Sequence, residues 1–321
     1  AQTAALARPL IEQHRPVFAG IGFGGPVDVD RGRTIRSHQV QGWEDFPLAD
    51  WFRENLRLPA VLSNDSDAAG LAEARFGAGR GSRVVFYNNI GSGIGGALVV
   101  DGQLYCGGSG VASELGHLRP GLHCDTADQT VESIASGWAI TQAARRRIER
   151  QGMAGAAELL SQCEGAPSRL DTRMIARAAT AGDASAREAF DDAARVVGWA
   201  LAQMITLVAP NVVVLGGGVS LVGEDLWLAP IRRYVERYVF PPAVGSYAIL
   251  PAQLGEEVVL HGAIALAAEA LTTAFVSSAT ISIPSIFAVH AGPFSCPIWL
   301  RRASLRISST LCRRRAIFPT A

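Results

Sequence analysis

Apolar positions change their spacing repeatedly along the chain. Residues 4–14 have helix-like spacing, and residues 45–56 place Phe46, Leu48, Trp51, Phe52 and Leu56 on one helical stripe. Short β-branched or glycine-containing runs at 17–22, 60–62, 84–90, 96–100 and 212–215 read as strands. Asp101-Gly102 is a hairpin turn leading into Gln103, Leu104 and Tyr105. Helical patterns fill an alanine-rich 67–76, most of 130–160, two segments within 172–209, and 224–238. A strand at 247–250 and a helix at 258–271 close the sequence pattern. Strands and helices alternate throughout, which predicts an α/β fold.

Past residue 271 the pattern breaks. Residues 272–321 hold one glycine, no acidic residue and six arginines (Arg301, Arg302, Arg306, Arg313, Arg314 and Arg315). The apolar stretch at 274–291 is interrupted by Pro284 and several serines, so no membrane span is expected. The tail is expected to be a basic segment, non-native or disordered, without a function of its own. Over the whole 321 residues, 49 % are apolar and the 29 basic residues balance 29 acidic ones. Every basic residue is arginine, which removes the Walker-A loop and any lysine-based catalysis. Without the tail the chain carries six more acidic than basic residues, so charge points to no nucleic acid. Five scattered cysteines with no CxxC, and no signal-peptide pattern, predict a reducing cytoplasm.

Four motifs could carry chemistry. Asn64-Asp65 stands where a strand ends and a helix begins. The pair reads either as a helix cap, or as a carboxylate that takes a proton from an alcohol beside an amide that binds a hydroxyl. Gly91-Ser92-Gly93-Ile94-Gly95-Gly96 lies between two strands, and its N–H groups with the Ser92 hydroxyl could approach phosphate oxygens; a tight hairpin is the alternative. Glu114 and His117, three apart, share a helical face and could hold sugar hydroxyls, help bind a metal, or form an ordinary surface pair. Leu215-Gly216-Gly217-Gly218 follows a buried strand and could accept a base or ribose, or simply turn the chain. It is not GxGxxG, which disfavours a Rossmann dinucleotide fold.

In order and spacing these motifs, with Gly20-Ile21-Gly22-Phe23-Gly24-Gly25-Pro26-Val27-Asp28, resemble the ROK family over roughly residues 10–271. That family contains bacterial hexokinases and sugar-responsive repressors within the actin-like ATPase superfamily. The resemblance implies two RNase-H-like lobes with an interlobe cleft, the first lobe incomplete. Residues 1–62 with the closing helix 258–271 would form the small lobe, 63–257 the large lobe with the sugar and nucleotide motifs, and 272–321 would lie outside both. It further implies an ATP-dependent, glucokinase-like hexose kinase with Asp65 as the general base. Asn64, Glu114, His117 and Glu132 would bind sugar hydroxyls, and Gly25 would approach the sugar through its backbone. Gly91, Ser92, Gly93 and Gly95 would form a phosphate loop, and Gly216, Gly217 and Gly218 an adenosine loop. ATP and Mg²⁺ are the implied cofactors, and a hexose and ATP the partners of a homodimer in the cytoplasm, with no membrane.

Two departures alter this picture. The family's zinc motif, CxCGxxGCxE, ends here on Glu132, and its cysteine positions become His123, Asp125 and Thr130, with Cys124 one place out of register. Thr130 supplies no soft ligand, so a zinc-free loop is expected and no residue is assigned to a metal, with a degraded metal site of His117, His123, Cys124 and Asp125 as the alternative. Family kinases also open with a strand, a DxGGT phosphate loop, two more strands and a helix, of which only the helix at 4–14 has a counterpart. The chain is therefore expected to be an incomplete reading frame that exposes an unpaired strand edge and turns over little ATP. A sugar-responsive repressor with its winged helix upstream, and an inactive sugar-binding remnant, stay open beside the kinase. The identity of the hexose is also open.

Overall fold

The computed structural model describes residues 2–37, 41–108, 110–155, 157–276, 286–291 and 300–303. The other tail positions lie outside the described residues, so the expectation of a disordered tail is met there by no observation.

Two sheets organise the chain. In the smaller one β1 (Phe18–Phe23) runs parallel to β4 (Ala60–Asn64) on one side and to β10 (Ile286–Ala291) on the other. A last strand, β11 (Leu300–Ala303), lies antiparallel to β10. The β1 edge expected to be bare is thus paired along its whole length, from Phe18 opposite Ile286 to Phe23 opposite Ala291. Backbone groups explain this correction: a strand edge binds any extended segment that can meet its N–H and C=O groups, whatever the side-chain period. The Ala19 amide donates to Pro59 at 2.8 Å, so by alternation Gly20 and Gly22 present theirs to β10.

The two faces of β1 differ. Ala19, Ile21 and Phe23 pack with Leu48, Phe52 and Leu56 of α2 (Leu48–Leu56) and with Ala7 of α1 (Gln2–His14). On the other face, a side chain at Gly20 would strike the Ala263 backbone of α10 (Val258–Val276). A short hairpin, β2 (Val27–Asp28) with β3 (Arg33–Thr34), stands beside this sheet.

The larger sheet has the order β7-β6-β5-β8-β9, from β5 (Val84–Ile90), β6 (Ile94–Val100), β7 (Gln103–Leu104), β8 (Val212–Gly216) and β9 (Ala248–Pro251). β5, β6 and β7 are antiparallel, whereas β5, β8 and β9 are parallel. Val85 and Tyr87 of β5 face α3 (Asp65–Phe76) and α10, while Phe86 and Ile90 face the main core. That core is built by α5 (Gly137–Gly155), α7 (Thr172–Ala181), the long α8 (Ala184–Val208) and α9 (Ala229–Tyr238). α4 (Glu132–Ala135) and α6 (Ala157–Gln162) complete the helices.

Several boundaries moved from the sequence reading. α3 begins at Asp65 rather than 67 because Asn64 caps it, and α10 runs on to Val276. The helix expected at 224–238 splits into a π-helical turn, Glu224–Leu228, and α9.

α3 is buried almost all round, as befits a helix between two layers. Glu73 in its last turn is fully buried; its Oε1 accepts from the Gln253 and Leu254 amides and its Oε2 from the Ala78 amide, each at 2.8 Å. This carboxylate ties the end of α3 to the loop that precedes α10. Glu73→Ala leaves those three donors without their acceptor and should cost about 3–5 kcal/mol in urea unfolding. A loss under about 1 kcal/mol would show that the tie is dispensable. A chain ended after Val276 should expose the β1 edge, and hydrogen exchange at Gly20 and Gly22 should accelerate at least about tenfold. Unchanged protection at both glycines would contradict the pairing with β10.

Candidate active site

The site grows around the loop that joins β5 to β6. The Gly91 amide donates to Gly93 O at 2.9 Å, and Gly91 O accepts from the Gly137 amide at 2.8 Å, which ties the loop to the start of α5. Asn88 of β5, absent from the sequence reading, donates from Nδ2 to Gly95 O at 2.7 Å. A side chain at Gly93 would lie 2.7 Å from Glu132 Oε2, and one at Gly95 would strike Ser66 Oγ. Glycine is required here by close approach from two sides, more than a plain hairpin demands. Gly91 itself has open space where a Cβ would stand.

β5 and β8 are parallel neighbours, so the loops at their C-terminal ends lie side by side. A side chain at Gly216 would meet the buried Tyr87 hydroxyl, and one at Gly217 (φ +85) would meet Ile90 O. Gly218 faces open space. The turn at Gly216, Gly217 and Gly218 therefore lies beside the end of β5, where Gly217 approaches Ile90.

Of the two readings the sequence left open for Asn64-Asp65, the helix cap is met, by Asn64. Asn64 is the cap: its Oδ1 accepts from the Ser66 amide at 2.8 Å and the Asp67 amide at 3.4 Å. Its Nδ2 donates to Gly25 O at 2.9 Å, which fastens the β1–β2 turn to the start of α3. Asp65 opens the helix and is free of the capping duty. Burial, with Glu114 adding to it, raises its carboxyl to about 6 against the pull of the Ser66 N–H.

The remaining acids converge on the same place. Glu114 precedes a 3₁₀ turn, Leu115–His117, and lies 3.9 Å from His117 Nε2, so the pair does share a face. Burial and Glu132 raise the Glu114 carboxyl, while His117 opposes them. Glu132 opens α4, and its Oε2 accepts from the Ile94 amide at 2.6 Å. Asp67, not singled out from the sequence, is pushed up to about 7 by burial and then by Glu114 and Asp65. Its spacing two after Asp65 at a strand-to-helix junction was the signal available.

Contacts through Ser66, Ile94, Gly137 and Asn64 thus bring Gly25, Asn64, Asp65, Gly91, Gly93, Gly95 and Glu132 around one loop, and Ser92, His117 and Glu132 line one cleft beside it. Among the described residues, no three His, Cys, Asp or Glu side chains are grouped to hold a metal. Cys124 is buried.

The fold and this site define a two-sheet α/β protein with paired glycine loops facing a carboxylate cluster. The chain belongs to the ROK family, whose family model matches residues 7–270. It is 33 % identical over 258 residues to a glucokinase of Thermotoga maritima, spanning 78 % of this chain and 79 % of that one. A glucokinase of Streptomyces coelicolor is 34 % identical over 261 residues, spanning 80 % of this chain and 81 % of its own. Among solved structures, a ROK family glucokinase from Streptomyces griseus in complex with glucose and AMPPNP superposes with a TM-score of 0.71 at 35 % identity, covering 83 % of this chain and 87 % of that one.

The carboxylate cluster has a consequence for stability. Asp67 titrates near 7 in the folded chain and near its ordinary 3.8 when unfolded, so the folded state holds an extra proton between those values. That contribution is complete below about 3.8 and is lost as pH rises through about 7. Asp67→Asn should leave Tm unchanged near pH 4 and raise it at pH 8. A Tm difference that does not vary with pH would contradict the repulsion.

Proposed function

We propose that the chain is an ATP-dependent hexose kinase, with glucose as the foremost acceptor. The observation that carries this is the placement of Asp65, a half-buried carboxylate at a helix start, one residue from the Ser66 that lies against the phosphate-loop Gly95. The glucokinase relatives and the glucose- and AMPPNP-bound neighbour support the same reading. Asp65 takes the proton of the sugar hydroxyl while that oxygen attacks the γ-phosphorus. The bond from phosphorus to the β-bridging oxygen breaks, and ADP leaves with the electron pair. A carboxyl near 6 is ionised at neutral pH yet basic enough to accept that proton.

Glu114, His117 and Glu132 supply acceptors and a donor for the sugar hydroxyls, and Asn64 aligns the base and the Gly25 turn. Backbone N–H groups of 91–95 meet the phosphates, and the open face at Gly216, Gly217 and Gly218 takes the adenosine. Mg²⁺ would neutralise phosphate charge, held largely by the phosphates themselves, with Glu132, whose Oε2 lies at the Ile94 amide of the loop, as the carboxylate present to meet it. No helix among the described residues is long and apolar enough to cross a membrane, and a cytoplasmic homodimer is the assembly we propose.

The test is ADP release with Mg-ATP and a panel of hexoses, beside an Asp65→Asn copy. Release should depend on sugar, be highest with glucose, and fall by at least about 10²-fold in the variant while glucose binding by calorimetry persists. It should also drop about tenfold per pH unit below about 6. Glucose that neither binds nor stimulates ADP release would overturn the reading.

A further inference from the structure

Asparagine is disfavoured in strands, yet β5 carries two in succession, Asn88 and Asn89. Alternation along the strand sends them to opposite faces. Asn88 is buried and committed to Gly95 O. Asn55, Asn64 and Asn211 likewise use their side chains on backbone groups. Asn89 is different: it is half-buried, and neither its Oδ1 nor its Nδ2 has a hydrogen-bond partner among the described residues. A partly desolvated amide with no partner costs stability, so its place at this strand end calls for a ligand.

The neighbours of Asn89 leave room for one. In the sheet register it stands opposite Gly95 of β6 on one side and Gly216 of β8 on the other. Residues in register share a face, so Gly95, Asn89 and Gly216 form a row in which Asn89 has the only side chain. At the β6 end of the row a side chain on Gly95 would strike Ser66 Oγ, next to Asp65. At the β8 end Asn89 Oδ1 lies 2.5 Å from where a Cβ of Gly217 would stand, which leaves Nδ2 to donate elsewhere. The row thus runs from the first turn of α3 to the β8 turn, along the carboxyl ends of two parallel strands, where α/β sheets hold ligands.

On the kinase reading above, on which this inference rests, the γ-phosphate faces Asp65 and the adenosine lies on Gly216, Gly217 and Gly218. The middle of the row then faces the β-phosphate. We propose that Asn89 is a further catalytic residue, whose Nδ2 donates to an oxygen of the β-phosphate. When the bond from the γ-phosphorus to the bridging oxygen breaks, the electron pair stays with the β-phosphate and its negative charge grows. A donor already fixed there gains strength in the transition state. Asn89 acts on the leaving group, while Asp65 acts on the attacking hydroxyl.

The test compares Asn89→Val with Asn89→Thr in the full chain, since the two side chains have the same shape, both suit a strand, and only threonine keeps a donor. Calorimetry with AMP, ADP and a non-hydrolysable ATP analogue reads the contact, and glucose binding reports that each variant is folded. Asn89→Val should bind ADP and the analogue about tenfold more weakly, with AMP and glucose changed by less than about twofold. Asn89→Thr should stay within about threefold of the parent for all four. Turnover at saturating ATP should fall at least about tenfold in Asn89→Val, and an unchanged kcat would overturn the leaving-group role. Equal losses for AMP and ADP would overturn the β-phosphate contact, because Asn89 would then serve only the adenosine turn. Equal affinities in the two variants would overturn it as well, since the donor would not matter. A parent chain that binds glucose but none of the three nucleotides would remove the kinase reading itself.

Discussion

The structure depends on how closely the α10 backbone approaches its neighbours. A side chain at Gly20 would collide with Ala263, one at Gly262 with the Ala68 carbonyl, and one at Gly70 with Ala97. These small residues form a column from β1 through α10 and α3 to β6. Protein interiors tolerate little excess volume, so each contact sets the spacing of the next layer. Because α3 is held this way, its first turn reaches the β5–β6 loop, and Ser66 comes to lie against Gly95. The geometry of the candidate site is a consequence of the packing several turns away.

The same first turn carries an electrostatic cost. Asp65, Asp67 and Glu114 are all raised by burial, and each is raised further by a neighbouring acid. Removing charges from this cluster would favour folding, so its retention needs a role other than stability. Glu73 shows the contrast. It is buried more completely than any of them, yet three backbone amides meet it and it serves only to hold the helix.

Much of this was legible from residue patterns, for identifiable reasons. The β5–β6 and β8 glycine loops were visible because close approach demands glycine at fixed places, and several such places in a fixed order are hard to reach by chance. The Asn64-Asp65 junction was visible, but residue types alone did not show that Asn64 is the residue that caps, since Asn and Asp cap helices equally well. Asn88 and Asp67 escaped because their environment is made by segments distant in sequence. The pairing of β10 with β1 was hidden for a different reason: backbone hydrogen bonds set it, and they leave no side-chain period to read.

The most direct measurement is a crystal structure of this chain with glucose and a non-hydrolysable ATP analogue. The account predicts a glucose hydroxyl within hydrogen-bond distance of the Asp65 carboxylate, and the terminal phosphate on the backbone amides of 91–95, with the two in line. A sugar bound away from Asp65, or phosphates that avoid the glycine loop, would contradict it.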